Sequence, residues 1–493
     1  MSSERIKISR REFLNRSTKT AAGIVTATAL TSCTASQVAT DTKSQVVGAN
    51  ERINMAVIGI RGRGMELAKA FANIPGVYVK TLCDIDENLF PERVKKIEKI
   101  QGTPPSTEYD LRRIYDDKDI DAVAIGAPNH WHALAAIWAC QAGKHVYVEK
   151  PASHNICEGR KMVEAARKYN RLVQVGFQNR SISNVRQAMK FLHDGKLGEI
   201  YMARGLCFKP RDSIGKCADG LGSGKNYEYY LWGKKGTCYD SDYMKGVHYD
   251  LWLGPAPERP FNYNRFHYNW HWNWNYGNGD IGNQGPHQFD VARWGIDKNE
   301  HPVKVSSSGG YFAFDSDQQT PNTQAAVFEY ADGKILQFEV RGVYTNGESA
   351  IASGQKTTQQ EDIKIGNLFF GTEGWMSING STWKTYFGRN NEPGPSSETV
   401  EPAADPMNLV GAGGDAHFSN FIRALRAGKR EYLTCDIEVG YMSTALPHLA
   451  NISYRLGRKL TFDSTKEKFV GDEEADHMLT RKYREPYVVP EGV

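Results

Sequence analysis

The chain has 493 residues, 40% of them hydrophobic, with 61 Lys and Arg against 57 Asp and Glu and a net charge of +4. A chain of this length buries two or three cores rather than one. Residues 1–32 carry the whole positive surplus, so the remainder is electroneutral and has no excess charge to attract a nucleic acid.

In chain order, Ser9-Arg10-Arg11-Glu12-Phe13-Leu14 has the form of a twin-arginine export signal. The mildly apolar stretch at 21–30 is too short to cross a bilayer as a mature anchor. It ends in Leu30-Thr31-Ser32-Cys33, which resembles a bacterial lipoprotein processing site and makes Cys33 the expected lipid anchor. An ordinary cleaved signal with a chance cysteine is the alternative. Residues 33–50 are polar and read as a flexible tether. The expectation is an exported, periplasmic protein held to the membrane only by lipid. This route carries proteins that are already folded.

From 51 to 176, short apolar strands (53–58, 77–82, 121–127, 145–149, 172–175) alternate with helical stretches at 132–142 and 156–169. That alternation predicts an α/β fold with a doubly wound parallel sheet of the Rossmann type. The first strand runs into Gly59-Ile60-Arg61-Gly62-Arg63-Gly64, which opens a helix. Strand, glycine turn and helix is the context of a dinucleotide loop: glycine lets the backbone approach a pyrophosphate, and the first helical amides point at its charge. Arg61 replaces the middle glycine, and its side chain can turn outward to clamp a phosphate. Asp84, twenty residues past Gly64, puts a carboxylate where an adenosine ribose needs an acceptor and a 2′-phosphate is repelled, favouring NAD over NADP. A tight strand-to-helix turn without nucleotide is the plain alternative.

Residues 177–412 turn β-rich, with strands expected at 199–208, 303–314, 325–330 and 334–340, and Asp332-Gly333 as a hairpin turn. Within them, 209–278 is a long loop rich in Gly, Tyr and Trp, and loops of that length in a compact domain are usually functional. Helical periodicity returns at 416–427 and 439–456, making 413–493 a C-terminal stretch of helices and tail. The seven cysteines beyond Cys33 lack metal-ligand spacing, and a Cys217–Cys238 disulfide is one of several pairings that an oxidising compartment allows. His267 and His271 stand four apart without an accompanying Glu or Cys set, so no metal is expected.

Glu149-Lys150-Pro151 falls at the carboxyl end of a strand, where open α/β sheets bind ligands. An ammonium there can hydrogen-bond a substrate hydroxyl and stabilise alkoxide character, or, once deprotonated, serve as base. A surface lysine after a strand is the bland alternative. In Gly279-Asp280-Ile281-Gly282-Asn283-Gln284-Gly285-Pro286-His287, Asn283 and His287 are four apart and face one site if Gly285-Pro286 starts a helix or interrupts it only mildly. A structural histidine at a helix start is the alternative there.

The glycine turn, Pro128-Asn129-His130-Trp131-His132, Ala142-Gly143-Lys144-His145-Val146 leading into Glu149-Lys150-Pro151, and the 279–290 segment together resemble one family. It is the glucose-fructose oxidoreductase, inositol dehydrogenase and rhizopine catabolism family, and the resemblance spans essentially the whole mature chain. It implies NAD bound by Gly59, Arg61, Gly62, Gly64, Asp84, Pro128, Asn129, His132, Glu149, Lys150, Gln178 and Asn179, and catalysis by Lys150 and His287. It also implies a second α/β domain on an open, mostly antiparallel sheet whose face often packs in homo-oligomers, here a dimer or tetramer. In the family an aspartate stands four residues before the histidine. Asn283 occupies that place, removing a carboxylate that raises imidazole basicity, and Asp280 and Asp290 are the candidates to compensate.

Residues 266–276 interleave Phe, Tyr and Trp with Asn and His just before this motif. Sugar rings offer apolar faces rimmed by hydroxyls, which flat aromatics and hydrogen-bonding side chains match. Arg211, Trp270, His271, Trp272, Asp280 and His287 are accordingly expected to contact a carbohydrate or glycoside, beside tightly bound NAD. A folded aromatic loop that only buries cofactor or a subunit interface is the alternative. The leading expectation is oxidation of a secondary sugar hydroxyl, at C3. A C3 ketone acidifies the C2 hydrogen, so a redox-neutral NAD-dependent glycosidase working by oxidation and elimination is the second reading. A lipid-anchored sugar-binding protein without turnover is the third, favoured by Arg61 and Asn283.

Overall fold

The structure, a computed structural model, describes residues 52–220, 229–231, 234–236, 241–348, 364–380, 382–400 and 414–493. The export signal, the tether, Cys33 and Cys238 lie outside the described residues.

Six parallel strands form the first sheet: β1 (Ile53–Ile58), β2 (Val77–Cys83), β3 (Ser106–Glu108), β4 (Ala122–Ile125), β5 (His145–Val148) and β6 (Val173–Val175), in the order β3-β2-β1-β4-β5-β6. Strands β1, β4 and β5 are largely apolar because helices cover both faces, whereas the edge strand β3 is Ser-Thr-Glu and mostly exposed. Strand order reverses between β1 and β4, and the carboxyl ends diverge there to leave a crevice. The helix Asn129–Gln141 buries eleven of its thirteen residues and so has no polar face; it is packed between the sheet and the helix Ile156–Lys168.

The second sheet has ten strands. They are β7 (Ile200–Cys207), β10 (Lys304–Gly310), β11 (Thr323–Glu329), β12 (Ile335–Arg341), β13 (Ile365–Gly371), β14 (Gly374–Asn379), β15 (Thr382–Phe387), β16 (Glu392–Ser396), β17 (Leu460–Asp463) and β18 (Lys468–Phe469), while β8 (Tyr229–Leu231) and β9 (Lys234–Gly236) make a separate ribbon. The order is β16-β15-β14-β13-β7-β12-β11-β10-β17-β18, antiparallel except where β7 meets β12. Gly333, at φ +87°, makes the expected β11–β12 turn. Strands β13 to β16 have no counterpart among the expected elements.

The helices Gly285–Gly295 and Ile437–Leu456 lie on this sheet. Residues after 413 do not stand apart: Phe418, Phe421 and Ile422 of the helix Gly414–Ala427 join the Rossmann core, Phe418 lying 5.3 Å from Phe71 and 5.4 Å from Tyr147 between ring centres. A buried brace ties the parts together. Arg180 holds Asp290 with two nitrogens, Nε at 2.8 Å and Nη2 at 2.9 Å; the Ser443 hydroxyl donates to Asp290 at 2.7 Å, and Arg293 Nε donates to Ser443 at 2.9 Å.

Candidate active site

A cleft of about 960 Å³ opens at the carboxyl ends of β1, β2, β4 and β5. It is at the upper end of the size usual for cofactor sites, with room for a dinucleotide and a small second ligand.

The floor of its cofactor end is backbone. Gly59 has φ +79°, and a Cβ there would lie 2.7 Å from the Ala127 nitrogen; a Cβ on Gly64 would lie 1.5 Å from the Gly59 oxygen. Gly59 and Gly64 are therefore required by how closely turn, helix and β4 loop approach. Gly62 differs: a Cβ there would meet nothing within 4 Å, and the residue faces the cleft. That open cradle, at the start of the helix Arg63–Ala72 whose first amides have no partner within the helix, fits a pyrophosphate. The Asp84 carboxylate accepts from the Ile60 N–H at 2.7 Å and the Asp86 N–H at 3.0 Å. Burial pushes its pKa up to about 6, against those two amides, so it is mostly ionised at neutral pH. The residues fit NAD: a glycine cradle for the diphosphate and a carboxylate for the ribose. Arg61, Pro128, Asn129, His132 and Gln178 also line the cleft, whereas Gly64 backs the turn from behind. Asn179 does not reach the cleft; it sits in the turn Gln178–Ser181, its carbonyl accepting from the Ile182 N–H at 3.2 Å.

Lys150 follows β5, and its Nζ donates to the Asn283 carbonyl at 2.6 Å, with the Asn283 side-chain oxygen at 3.5 Å. Burial lowers its pKa to about 8; Glu149 opposes the shift and Arg63 adds to it. Glu149 is occupied on its other side, accepting from Arg63 Nε at 2.8 Å and Gln178 Nε2 at 3.2 Å. Asn283 closes the short helix Gly279–Asn283, and Pro286 sits in the first turn of the next, so Lys150, Asn283 and His287 share one wall. Burial first, and then the Lys150 charge, hold the His287 pKa well below its ordinary value. Neither carboxylate that might have replaced the missing aspartate serves His287. Asp290 is taken by Arg180 and Ser443, and Asp280 by Arg211, whose Nε lies 2.8 Å and Nη2 2.6 Å from it.

Two carbonyls flank His132, Pro151 O at Nδ1 and Ala127 O at Nε2, both at 2.7 Å. Only a protonated ring donates to both; burial works against that charge and pulls the pKa down.

The aromatic segment divides between cleft and core. Phe266, Trp272 and Tyr276 are buried, and Phe266 and Tyr276 join Trp252 and Phe261 in a core of the loop's own. Tyr268, Trp270 and His271 face the cleft. Trp270 and His271 stack at 3.6 Å and 20°. His271 Nδ1 donates to the Tyr268 carbonyl at 2.6 Å, which leaves Nε2 as an acceptor. Trp272, Arg211 and Asp280, expected to touch substrate, stand behind this wall: the Arg211 guanidinium lies 4.9 Å from the Trp272 ring centre and is spent on Asp280. Arg63, Arg93 and Tyr109 line the cleft without having been expected, as do Trp252 and Tyr487, which come from remote parts of the chain.

An oxidoreductase family described by an NAD-binding Rossmann fold matches residues 53–177, and the C-terminal alpha/beta domain of the same family matches residues 218–364 and 405–489. The chain belongs to the Gfo/Idh/MocA oxidoreductase family. Among the relatives of this Gfo/Idh/MocA protein are the levoglucosan dehydrogenase of Pseudarthrobacter phenanthrenivorans, 32% identical over 31% of this chain and 40% of that protein, and the alpha-N-acetylgalactosaminidase of Shewanella oneidensis, 32% identical over 32% and 37%. The chain spans less than half the length of each. In fold it resembles a levoglucosan dehydrogenase solved in complex with NADH and levoglucosan (TM-score 0.57, 19% identity, 83% of this chain and 99% of that one).

Proposed function

We propose that the protein oxidises a secondary hydroxyl of a sugar or glycoside, at C3, using NAD. The observation that carries the reading is that the glycine cradle, Lys150 and His287 line a single cleft. NAD, when bound, supplies the hydride acceptor. The chain's own residues do the rest. Lys150, with its pKa near 8, is deprotonated in part at neutral pH and takes the hydroxyl proton, and the Asn283 carbonyl fixes where its nitrogen points. Buried His287 is neutral and passes that proton on, Trp270 and Tyr268 present flat surfaces to the sugar ring, and His271 Nε2 accepts from one of its hydroxyls.

The match to a named alpha-N-acetylgalactosaminidase favours a second reading, in which the C3 ketone is transient: it acidifies the C2 hydrogen, loss of that proton expels the substituent from C1, water adds at C1 as the proton returns to C2, and the hydride returns to C3. To separate the two, nucleotide is released from protein purified without added NAD and identified by mass, and glycosides are then screened for absorbance at 340 nm with product analysis. A keto-glycoside supports the dehydrogenase and a free sugar supports the glycosidase. Absence of both nucleotide binding and hydride uptake ends the redox reading.

The reading includes export and lipid attachment through Cys33, so Cys33→Ala is expected to leave the membrane fraction; retention there refutes the anchor. It also includes a homo-oligomer formed through the open face of the ten-stranded sheet, measurable by light scattering.

A further inference from the structure

The amino ends of the parallel strands share the edge of the Rossmann sheet opposite the cleft, and they are laced together there. The Ile53 N–H donates to Gly76 O at 2.9 Å, the Asp121 N–H to Asn54 O at 2.9 Å, and the His145 N–H to Asp121 O at 3.0 Å. The turn after the helix Gly414–Ala427 joins them, because Arg426 Nη2 donates to Pro75 O at 2.6 Å.

This edge is basic. The segments that lead into the strands (52, 73–80, 102–105, 116–121, 142–145 and 168–172), with the turn 425–432, carry nine Lys and Arg against five Asp and Glu. Residues 33–493 balance overall, so the remainder of them carries a negative excess. How the cations are held decides whether their charge is felt outside. Lys80 is spent on Asp117 at 2.7 Å and Asp119 at 3.2 Å. Four others lean on groups that fix their place without cancelling their charge. Arg171 donates to Tyr169 O at 2.8 Å and to Gly143 O at 3.0 Å, while Arg52, Lys168 and Lys429 lie 5.0, 5.6 and 5.2 Å from the ring centres of Tyr78, Tyr169 and Tyr432. None of these four meets a carboxylate among the described residues.

The chain also enters the fold at this edge. β1 begins at Ile53, and nineteen positions separate Arg52 from Cys33, a span of about 65 Å at full extension.

We infer that the amino-end edge of the Rossmann sheet docks on the anionic headgroups of the phospholipid bilayer to which Cys33 is attached, so that the cleft, at the other end of the strands, opens away from the membrane. The inference rests on the export and lipid attachment proposed above. Cations drawn from separate segments along one sheet edge suit a broad layer of phosphates, and the point of chain entry keeps that edge within reach of one. Attraction of this kind is screened over about 10 Å at 0.1 M salt. The edge therefore orients a protein that the lipid already holds, and Cys33→Ala still leaves the membrane at physiological salt. A ligand reaches the cleft from the aqueous side.

The test floats the full chain bearing Cys33→Ala with vesicles of phosphatidylcholine alone, or of seven parts phosphatidylcholine to three parts phosphatidylglycerol. At about 50 mM salt the mixed vesicles are expected to bind at least tenfold more tightly than the neutral ones, and about 500 mM salt is expected to remove the difference. Residues 1–32 are common to every variant, so differences between variants report the edge. Lys168→Glu, Lys429→Glu and Arg430→Glu together are expected to weaken binding to the mixed vesicles at least tenfold, and the same three changed to Ala severalfold. Lys190→Glu, Lys196→Glu and Lys466→Glu, which lie outside the edge and change the total charge equally, are expected to weaken it less than twofold. All six side chains are exposed, so the melting temperature is expected to hold in both sets. Equal loss in the two triple variants, or binding indifferent to phosphatidylglycerol, overturns the docking. The comparison does not depend on whether Cys33 is lipidated in the cell, so docking and anchor fail separately.

Discussion

The two ends of the cleft are built from different material. At the cofactor end the turn from Gly59 to Gly64, beside Asp84, sets the shape, and at Gly59 and Gly64 the backbone packs so closely that a single methyl group does not fit. At the end proposed to take a sugar, the segment that offers Trp270 and His271 also buries Phe266, Trp272 and Tyr276 within itself, and which aromatic faces outward depends on how an irregular loop packs. The first end is specified by local spacing and the second by tertiary folding, so damage to each has a different signature.

The junction of the two ends gives the largest expected effect. Lys150→Ala is expected to lower turnover on the order of 10³-fold while NAD stays bound, read by single-turnover absorbance at 340 nm; an unchanged rate removes Lys150 from the reaction. Gly64→Ala tests the cofactor end. The added methyl group runs into the Gly59 oxygen, and a loss of about 3 kcal/mol in stability together with NAD affinity is expected in denaturant titrations. A stable variant that binds NAD normally would show that the turn is not held by packing.

The pH dependence follows from the lowered Lys150 pKa. The neutral amine is the proton acceptor, so kcat/KM is expected to rise about tenfold per pH unit and level off above about 8. A profile flat from pH 6 to 9 contradicts that assignment. The smallest effect separates cleft from core at the sugar end. Trp270→Ala is expected to raise KM several-fold with little change in melting temperature, whereas Trp272→Ala destabilises by about 3 kcal/mol. Equal behaviour of the two would erase the division drawn between them.

Five strands of the doubly wound sheet were legible because they are largely apolar runs, and the helix Asn129–Gln141 because its flanking elements alternate regularly; the edge strand β3, Ser-Thr-Glu, offered no such signal. Strands β13 to β16 were not legible either. In β15, Trp383 and Thr385 point inward while Thr382 and Lys384 face solvent, a period-two pattern too short and too polar to stand out. At the site, Gly59, Asp84, Lys150 and His287 carry their chemistry in their spacing. Arg211 and Asp280 were expected among the sugar ligands as hydrogen-bonding groups accompanying the aromatic loop. Only the fold reveals that they neutralise each other. Tyr109 and Tyr487, 378 positions apart, have no common signal in the chain that would place them in one cleft.

The Arg180–Asp290–Ser443–Arg293 brace has a consequence for what can enter. It joins the turn carrying Gln178, the helix carrying His287 and the long helix Ile437–Leu456, with Asp290 fully enclosed. Parting those elements would strand a carboxylate and two guanidinium groups in a dry interior, at a cost of about 3–5 kcal/mol. Hinge opening of the two lobes is thereby resisted, and admission falls to the mouth of a fixed vestibule. Under the function proposed above, such a vestibule is expected to take a monosaccharide or the terminal unit of an oligosaccharide and to turn away the middle of a polymer.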